Sequence, residues 1–375
     1  MMKEQNGQKK ADFNQRRVLF YYQPNEYQII LAEKALLEEP AGYPYEGEEG
    51  CEVEGDGSKE ANRPAAGTWK ESMWILAGAL ILYVGFGIAY PGFASSSNFF
   101  YILKDILLMT YLAFGTMLVF LLGEIDLSTG SVIAASGCIC AGVVERAGVP
   151  VYAGMLIGIA CGSLLGALNG YVVSSTGAPS YIVTLFTTQL GTGIAYFYIK
   201  ETPIESMIER ISGTDVVFLL FPAVFVALAI SFLISGRTGF GRYIYAAGRD
   251  KTFAGLRGRI TKRVTLCVFA WSGFLASLTG VMMLVAGYYP HVNMGVKAQM
   301  DAVTAVILGG TGLKGGKGSI YGTLAGVVFV SILDTGIGFL GIDFNWGYVV
   351  QTGLVLAAIY IDFLRTRKLS QEAGR

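Results

Sequence analysis

Ten stretches of the chain are strongly apolar, at about 73–91, 99–122, 128–145, 150–173, 180–199, 215–235, 264–286, 299–311, 319–338 and 345–364. A helix needs about 20 apolar residues to cross a hydrocarbon layer about 30 Å thick, and the eighth stretch is the shortest of the ten. Within these runs apolar residues do not alternate with polar ones at the helical period expected of a water-soluble helix. The pattern predicts an all-α fold, a polytopic membrane bundle of about ten transmembrane helices. Before it lie residues 1–68, which are polar and, over 43–60 (YPYEGEEGCEVEGDGSKE), rich in Gly and Glu. Such a composition buries no core and predicts a disordered tail. A short helix is expected within it over 25–39, capped by Asn25 and stopped by Pro40. No cleavable signal peptide is expected, because the first apolar run begins only after the tail.

Composition agrees with a membrane bundle: 53% of residues are hydrophobic, 15% are charged and the mean hydropathy is +0.50. The net charge of zero conceals an uneven distribution. The tail holds 13 acidic and 8 basic residues, so the remainder is net positive. The excess concentrates in 237–263 (RTGFGRYIYAAGRDKTFAGLRGRITKR), where eight Lys and Arg face the single acid Asp250. Short basic loops stay in the cytoplasm. Placing this loop there puts the N-terminal tail, Lys314, Lys317 and the C-terminal Arg365, Arg367 and Lys368 inside as well, and the acidic-leaning 200–214 outside. The expected organisation is a cytoplasmic tail over 1–68, a transmembrane domain over 69–368 that includes the cytoplasmic loop 237–263, and a cytoplasmic end over 369–375.

Fifty glycines add a second signal. Gly154, Gly158, Gly162, Gly166 and Gly170 recur every four residues, the spacing that lets membrane helices approach closely. Four of the five cysteines (Cys138, Cys140, Cys161, Cys267) lie inside apolar runs, where Cys acts as a small hydrophobe. Cys138 and Cys140 point to different helix faces and make a poor metal pair. His291 is the only histidine, so neither a His-based metal site nor a catalytic dyad can form. No nucleophile–base pair is visible, which argues against a membrane-embedded enzyme. A weak repeat sets 121–134 (LLGEIDLSTGSVIA) against 307–322 (ILGGTGLKGGKGSIYG), with both turns on one side of the membrane.

Three constellations are candidates for chemistry. In GEIDLSTG (123–130), Glu124 and Asp126 sit beside apolar helices, where a carboxylate costs about 2.5–3.5 kcal/mol at the bilayer centre. Asp126 and Ser128 are candidates for an N-terminal helix cap, and Glu124, Asp126 and Ser128 equally for a translocation pathway or gate. Asn169, Thr184, Gln189, Asp301 and Asp334, with Thr187, Thr188 and Thr304, would suit the passage of a hydroxyl-rich solute. The second constellation is the basic loop, whose segment 249–258 (RDKTFAGLRG) reads as a short surface helix. It is a candidate for docking on a partner or for binding anionic lipid head groups. The third, GGTGLKGGKGS (309–319), imitates a phosphate-binding loop, but Gly316 stands where that motif requires Lys. Nucleotide binding is therefore not expected. Tyr288, Tyr289 and Trp346 read as interfacial anchors, and Lys104 and Asp105 as charges near the outer interface.

Four segments taken in order, GEIDLSTGS (123–131), LNGYVVSSTGAPSYIVTLFT (168–187), TGFGRYIYAAGRDKTFAGLRG (238–258) and LGGTGLKGGKGSIYGTLAG (308–326), resemble the permease subunit of ribose-type ATP-binding cassette (ABC) importers. That family also serves xylose, galactose and autoinducer-2, and the resemblance covers about residues 73–366. It implies a dimer of permeases, as a homodimer or with a paralogue, seated on two ATPase subunits and loaded by an extracytoplasmic sugar-binding protein. ATP and Mg would be used by the ATPase, with no cofactor on this chain. The family's coupling helix falls at 245–258, and the coupling loop would engage the ATPase through Gly241, Arg242, Tyr245, Ala246, Gly248, Arg249, Lys251, Ala254, Leu256 and Gly258. The chain differs from the family pattern at Glu124 (usually Gly), at Ser180-Tyr181 (Pro-Phe), at Gln299-Met300 (Glu-Leu) and at Asp334-Thr335 (Asn-Asn).

The sequence therefore predicts a multi-pass permease subunit of the bacterial plasma membrane, importing a monosaccharide or small polyol, with no catalytic residues. Its expected partners are ATPase subunits, a binding protein, a second permease and lipid, but not nucleic acid. A different class, an ion-coupled secondary carrier, would use Glu124 and Asp126 as relay groups.

Overall fold

The computed structural model describes residues 68–199, 238–249 and 258–341, with scattered helical positions in 225–232 and 346–360. The chain divides into two units, Met1–Asn62 and Arg63–Arg375, and every described residue lies in the second. The acidic tail and the helix expected at 25–39 lie outside the described residues. Nine helices and no strand form among those described: α1 (Thr68–Ala89), α2 (Ser96–Leu121), α3 (Thr129–Ala147), α4 (Val151–Thr176), α5 (Ser180–Ile199), α6 (Gly239–Arg249), α7 (Gly258–Val285), α8 (Val296–Leu308) and α9 (Ile320–Phe339).

Seven of these, all but α6 and α8, are long and apolar enough to cross a membrane. The spans expected at 215–235 and 345–364 fall mostly outside the described residues. The eighth expected span, 299–311, is corrected: the helix there is Val296–Leu308, only 13 residues, about 20 Å long and too short to cross. Its C-terminus is fixed by Gly310 in the left-handed region (φ 85°), where the amides of Gly310 and Thr311 turn back onto the carbonyls of Ile307 and Val306. The same turn ends α2, where the amides of Gly123 (φ 73°) and Glu124 donate to Phe120 and Val119. This sets Gly123 on Gly310 within the sequence repeat. The geometry recurs at Gly287, where α7 ends, so it is the common cap of a helix C-terminus and adds no independent support to a repeat.

Helices α2, α3 and α7 form the centre, with 72%, 78% and 72% of their spanning residues buried, against 11% for α1 and 22% for α5. The outer helices turn Trp74, Ile81, Ile88, Phe186 and Phe197 outward. A hydrocarbon surround makes that exposure cheap, and helix association then rests on close packing. The glycine column of α4 supplies it. A Cβ on Gly158 would meet the Ser136 carbonyl of α3 at 2.5 Å, and one on Gly166 would meet the Phe269 carbonyl at 2.6 Å and the Gly273 Cα at 2.7 Å, both on α7. Gly170 sits equally close to Leu266. One stripe of small residues therefore seats α4 on two central helices, as its spacing predicts.

The ends of the bundle sort into two faces. Leu121, Gly248 and Gly316 meet at one, where the Gly316 amide donates to the Leu121 carbonyl at 2.9 Å. At the other, Phe93 packs on Phe339 (5.3 Å between ring centres), and Lys104 Nζ donates to the Ala286 carbonyl at 3.1 Å. The first face carries the described part of the basic segment, Gly239–Arg249.

Overpacking of this kind costs about 1–3 kcal/mol, so Gly166→Ala is expected to lower the melting temperature of the purified protein. Gly193→Ala, with nothing within 4 Å of its added carbon, should leave it unchanged. Equal melting of the two variants in detergent would show that the α4–α7 contact is looser than described.

Candidate functional site

Between α2 and α3 the chain stays inside the bundle without being helical. After Gly123 it runs through 124–128 before α3 begins at Thr129. Asp126 faces Ser272, the midpoint of the 28-residue α7, roughly 20 Å from either helix end. Water is scarce at that depth, and a buried amide left unpaired costs about 1–3 kcal/mol. Hydroxyls at helical spacing on α5 supply the partners. The Ile125 amide donates to Ser180 Oγ (2.9 Å), the Leu127 amide donates to Thr184 Oγ1 (3.1 Å), and Thr188 Oγ1 donates to the Leu127 carbonyl (2.9 Å).

Asp126 closes the turn on itself. Its Oδ1 accepts from the Ser128 amide (2.9 Å) and from Ser128 Oγ (2.6 Å), and its Oδ2 accepts from Ser272 Oγ at 3.4 Å. Asn169 Nδ2 of α4 donates to Ser128 Oγ (2.8 Å), and its Oδ1 accepts from Thr187 of α5. The carboxylate lies just before the N-terminus of α3, where the helix dipole favours negative charge. Asp126, Ser128, Asn169 and Thr184 are all at most 3% exposed. With Ser272 they form one sealed polar knot joining the start of α3 to α4, α5 and α7.

Ser128 occupies the position before α3, but its side chain does not cap the helix. A residue from far along the chain does so. Gln299 of α8 accepts from the Gly130 amide through Oε1 (2.9 Å) and donates through Nε2 to the Leu127 carbonyl (3.0 Å). The backbones of Gly130 and Gly295 touch beside it, so the N-termini of α3 and α8 meet inside the bundle.

The remaining candidates lie elsewhere. Glu124 is half-buried at the edge of the turn, and Gln189 is exposed on α5 beside a cleft of about 340 Å³ lined also by Leu190, Phe197 and Tyr198. Asp301 and Asp334 do not join the knot; both pair with Lys297, at 3.0 and 2.5 Å. Asp105, expected at the outer interface, is half-buried within electrostatic reach of Lys297 and Asp334, while Lys104 stays over the Tyr101 and Tyr288 rings. Two residues that organise the site, Gln299 and Lys297, were not among the sequence candidates. Lys297 four residues before Asp301 on one helix face is a readable ion-pair spacing. The partner of Gln299 is 169 residues away, and no local pattern announces it.

At the face where Leu121, Gly248 and Gly316 meet, α6 is stitched to the Gly-rich turn after α8. Tyr245 donates its hydroxyl to the Gly318 carbonyl (3.0 Å), and Arg249 Nε donates to the Gly316 carbonyl (3.1 Å). Burial pushes the Tyr245 phenol above its usual range, only partly opposed by Arg249, so it remains a donor. A Cβ on Gly315 would meet the Gly123 amide at 2.7 Å and the Gly248 carbonyl at 2.9 Å. The Gly-rich 309–319 thus serves close backbone packing. Of the coupling candidates, Gly241 and Gly248 are buried, Tyr245 and Ala246 half-buried, and Arg242 and Arg249 exposed; Gly258 opens α7. Lys251, Ala254 and Leu256 lie outside the described residues, and so does most of the helix expected at 249–258. The helix that is described, α6, ends at Arg249, where the expected one begins.

A family model described as branched-chain amino acid transport system / permease component matches residues 98–359. The ribose import permease protein RbsC of Haemophilus influenzae is 31% identical over 302 residues, covering 78% of this chain and 93% of the relative. The inner membrane ABC transporter permease protein YjfF of Escherichia coli is 30% identical over 276 residues, covering 71% and 83%. The fructose import permease protein FrcC of Rhizobium meliloti is 28% identical over 295 residues, covering 74% and 81%. No solved structure matches the chain.

Gln299→Leu removes both bonds to the re-entrant segment and should cost about 1–3 kcal/mol, seen as a lower melting temperature. Asp126→Asn keeps a carbonyl oxygen for the Ser128 amide and should retain assembly while lowering solute uptake. Unimpaired uptake by Asp126→Asn would reduce Asp126 to a structural turn residue.

Proposed function

The chain belongs to the family of branched-chain amino acid transport system permease components, and from that membership we propose that it imports a monosaccharide or small polyol as the membrane subunit of an ABC importer. The family supplies the transport role, and the multiple membrane spans place the chain in a membrane. The choice of a sugar rests on relatives whose names specify ribose and fructose. In this reading ATP and Mg are handled by a partner ATPase, an extracytoplasmic binding protein delivers the solute, and this chain holds no cofactor.

The observation that carries the mechanism is the attachment of α6 to the turn after α8, which itself hydrogen-bonds the end of α2 at Leu121. A partner pressing on the basic loop reaches α6, and through Gly248, Gly315 and Gly316 it reaches the end of α2, whose chain continues into the knot, and the end of α8, whose Gln299 bonds the segment beside it. Movement then follows from the partner's different affinity for two arrangements of the bundle. Because the knot is closed to solute within one chain, the passage is completed against a second permease, with the exposed face of α5 around Gln189 as its candidate lining.

Reconstituted with the ATPase and binding protein encoded beside it, the chain is expected to take up ribose or a similar sugar only with ATP. Uptake of leucine in preference to sugars, or uptake driven by an ion gradient without ATPase, would overturn the assignment. Replacing 249–258 by a flexible polar segment should abolish co-purification of the ATPase and transport together. Undiminished association would place the docking surface elsewhere.

A further inference from the structure

The short helix α8 is held on opposite sides by different chemistry. Lys297 and Asp301, four residues apart, share one face, and Lys297 Nζ lies 3.0 Å from Asp301 and 2.5 Å from Asp334 of α9. Asp105 of α2 lies within electrostatic reach of the same ammonium, so charges from three helices gather around Lys297. Gln299, two positions along, projects roughly 200° away and caps α3.

A 13-residue helix lacks the long packing surface of a full span, so these polar contacts have an unusual share in fixing its position. Buried ion pairs add little net stability, because desolvation offsets their attraction, and they serve better to select one arrangement over another. We propose that Lys297 is a positioning residue: by tying α8 to α9 it holds Gln299 in register to cap α3, and so maintains the closed polar knot from which transport proceeds. The transport part rests on the proposed function; the geometric part does not.

The test uses the complete reconstituted complex and compares Lys297→Met, Gln299→Ala and the double variant by solute moved per ATP hydrolysed. Each single change should lower that ratio roughly tenfold, and the double change should be no worse than either, as expected when two residues act through one contact. The exchange Lys297→Asp with Asp334→Lys again places one cation among two aspartates and should recover at least about half the ratio. Independent losses that multiply in the double variant, or an exchange no better than Lys297→Met, would overturn the proposal. Should Lys297→Met fail to assemble, Asp334→Asn carries the same comparison, since it leaves Lys297 paired with Asp301. Spin labels at Met300 and Leu340 of the purified chain read the tie without any solute, and Asp334→Asn should lengthen or broaden their separation. An unchanged distance refutes the tie, whereas a wild-type complex that moves no sugar refutes only the proposed function.

Discussion

A polypeptide that leaves its helix near the middle of a membrane must obtain every hydrogen bond from its neighbours, and segment 124–128 imposes that requirement on this molecule. Ser180, Thr184 and Thr188 of α5, Asn169 of α4, Ser272 of α7 and Gln299 of α8 all take their places in answer to it. Helices that lipid alone would leave free to choose their neighbours are thereby fixed in order around α3. The carboxylate of Asp126 is tolerated because it lies where amide and hydroxyl donors converge.

The same constraint links the interior to the face that carries α6. The segment that needs partners begins at the turn after Leu121, and that turn is held by Gly316, which is itself held by Arg249. From the surface helix α6 to the cap on α3 the contacts are direct, with no long flexible connection among the described residues. A displacement at α6 therefore has few ways to dissipate before it reaches the knot.

Much of this was readable from the chain. Apolar length gave seven of the ten expected spans, and the four-residue recurrence from Gly154 to Gly170 gave the seat of α4, because both depend only on local spacing. The hydroxyls of Thr184, Thr187 and Thr188 and the carboxylate of Asp126 were visible as candidates for a passage, yet their bonds to the segment and to one another mark them as the scaffold of a closed turn in this arrangement. Periodicity reports that a polar group lies inside a bundle but not whether it faces a solute or another segment. The shortness of α8 was foreshadowed by its weak apolar run, whereas its contacts were hidden: Gln299 and Gly130 are brought together only by tertiary packing. The pairing of Lys297 with Asp334 is likewise a product of topology, although its pairing with Asp301 follows from helical spacing.

Along the line where α4 lies on α7, backbone meets backbone at Gly166 and Gly273. Such a joint has no side chains to trim, so divergence cannot proceed there by small steps: any enlargement on one strand of the seam needs a compensating loss on the other. Variation among descendants of this protein should accordingly accumulate on the lipid-facing flanks of the two helices, leaving the seam as a fossil of the ancestral packing.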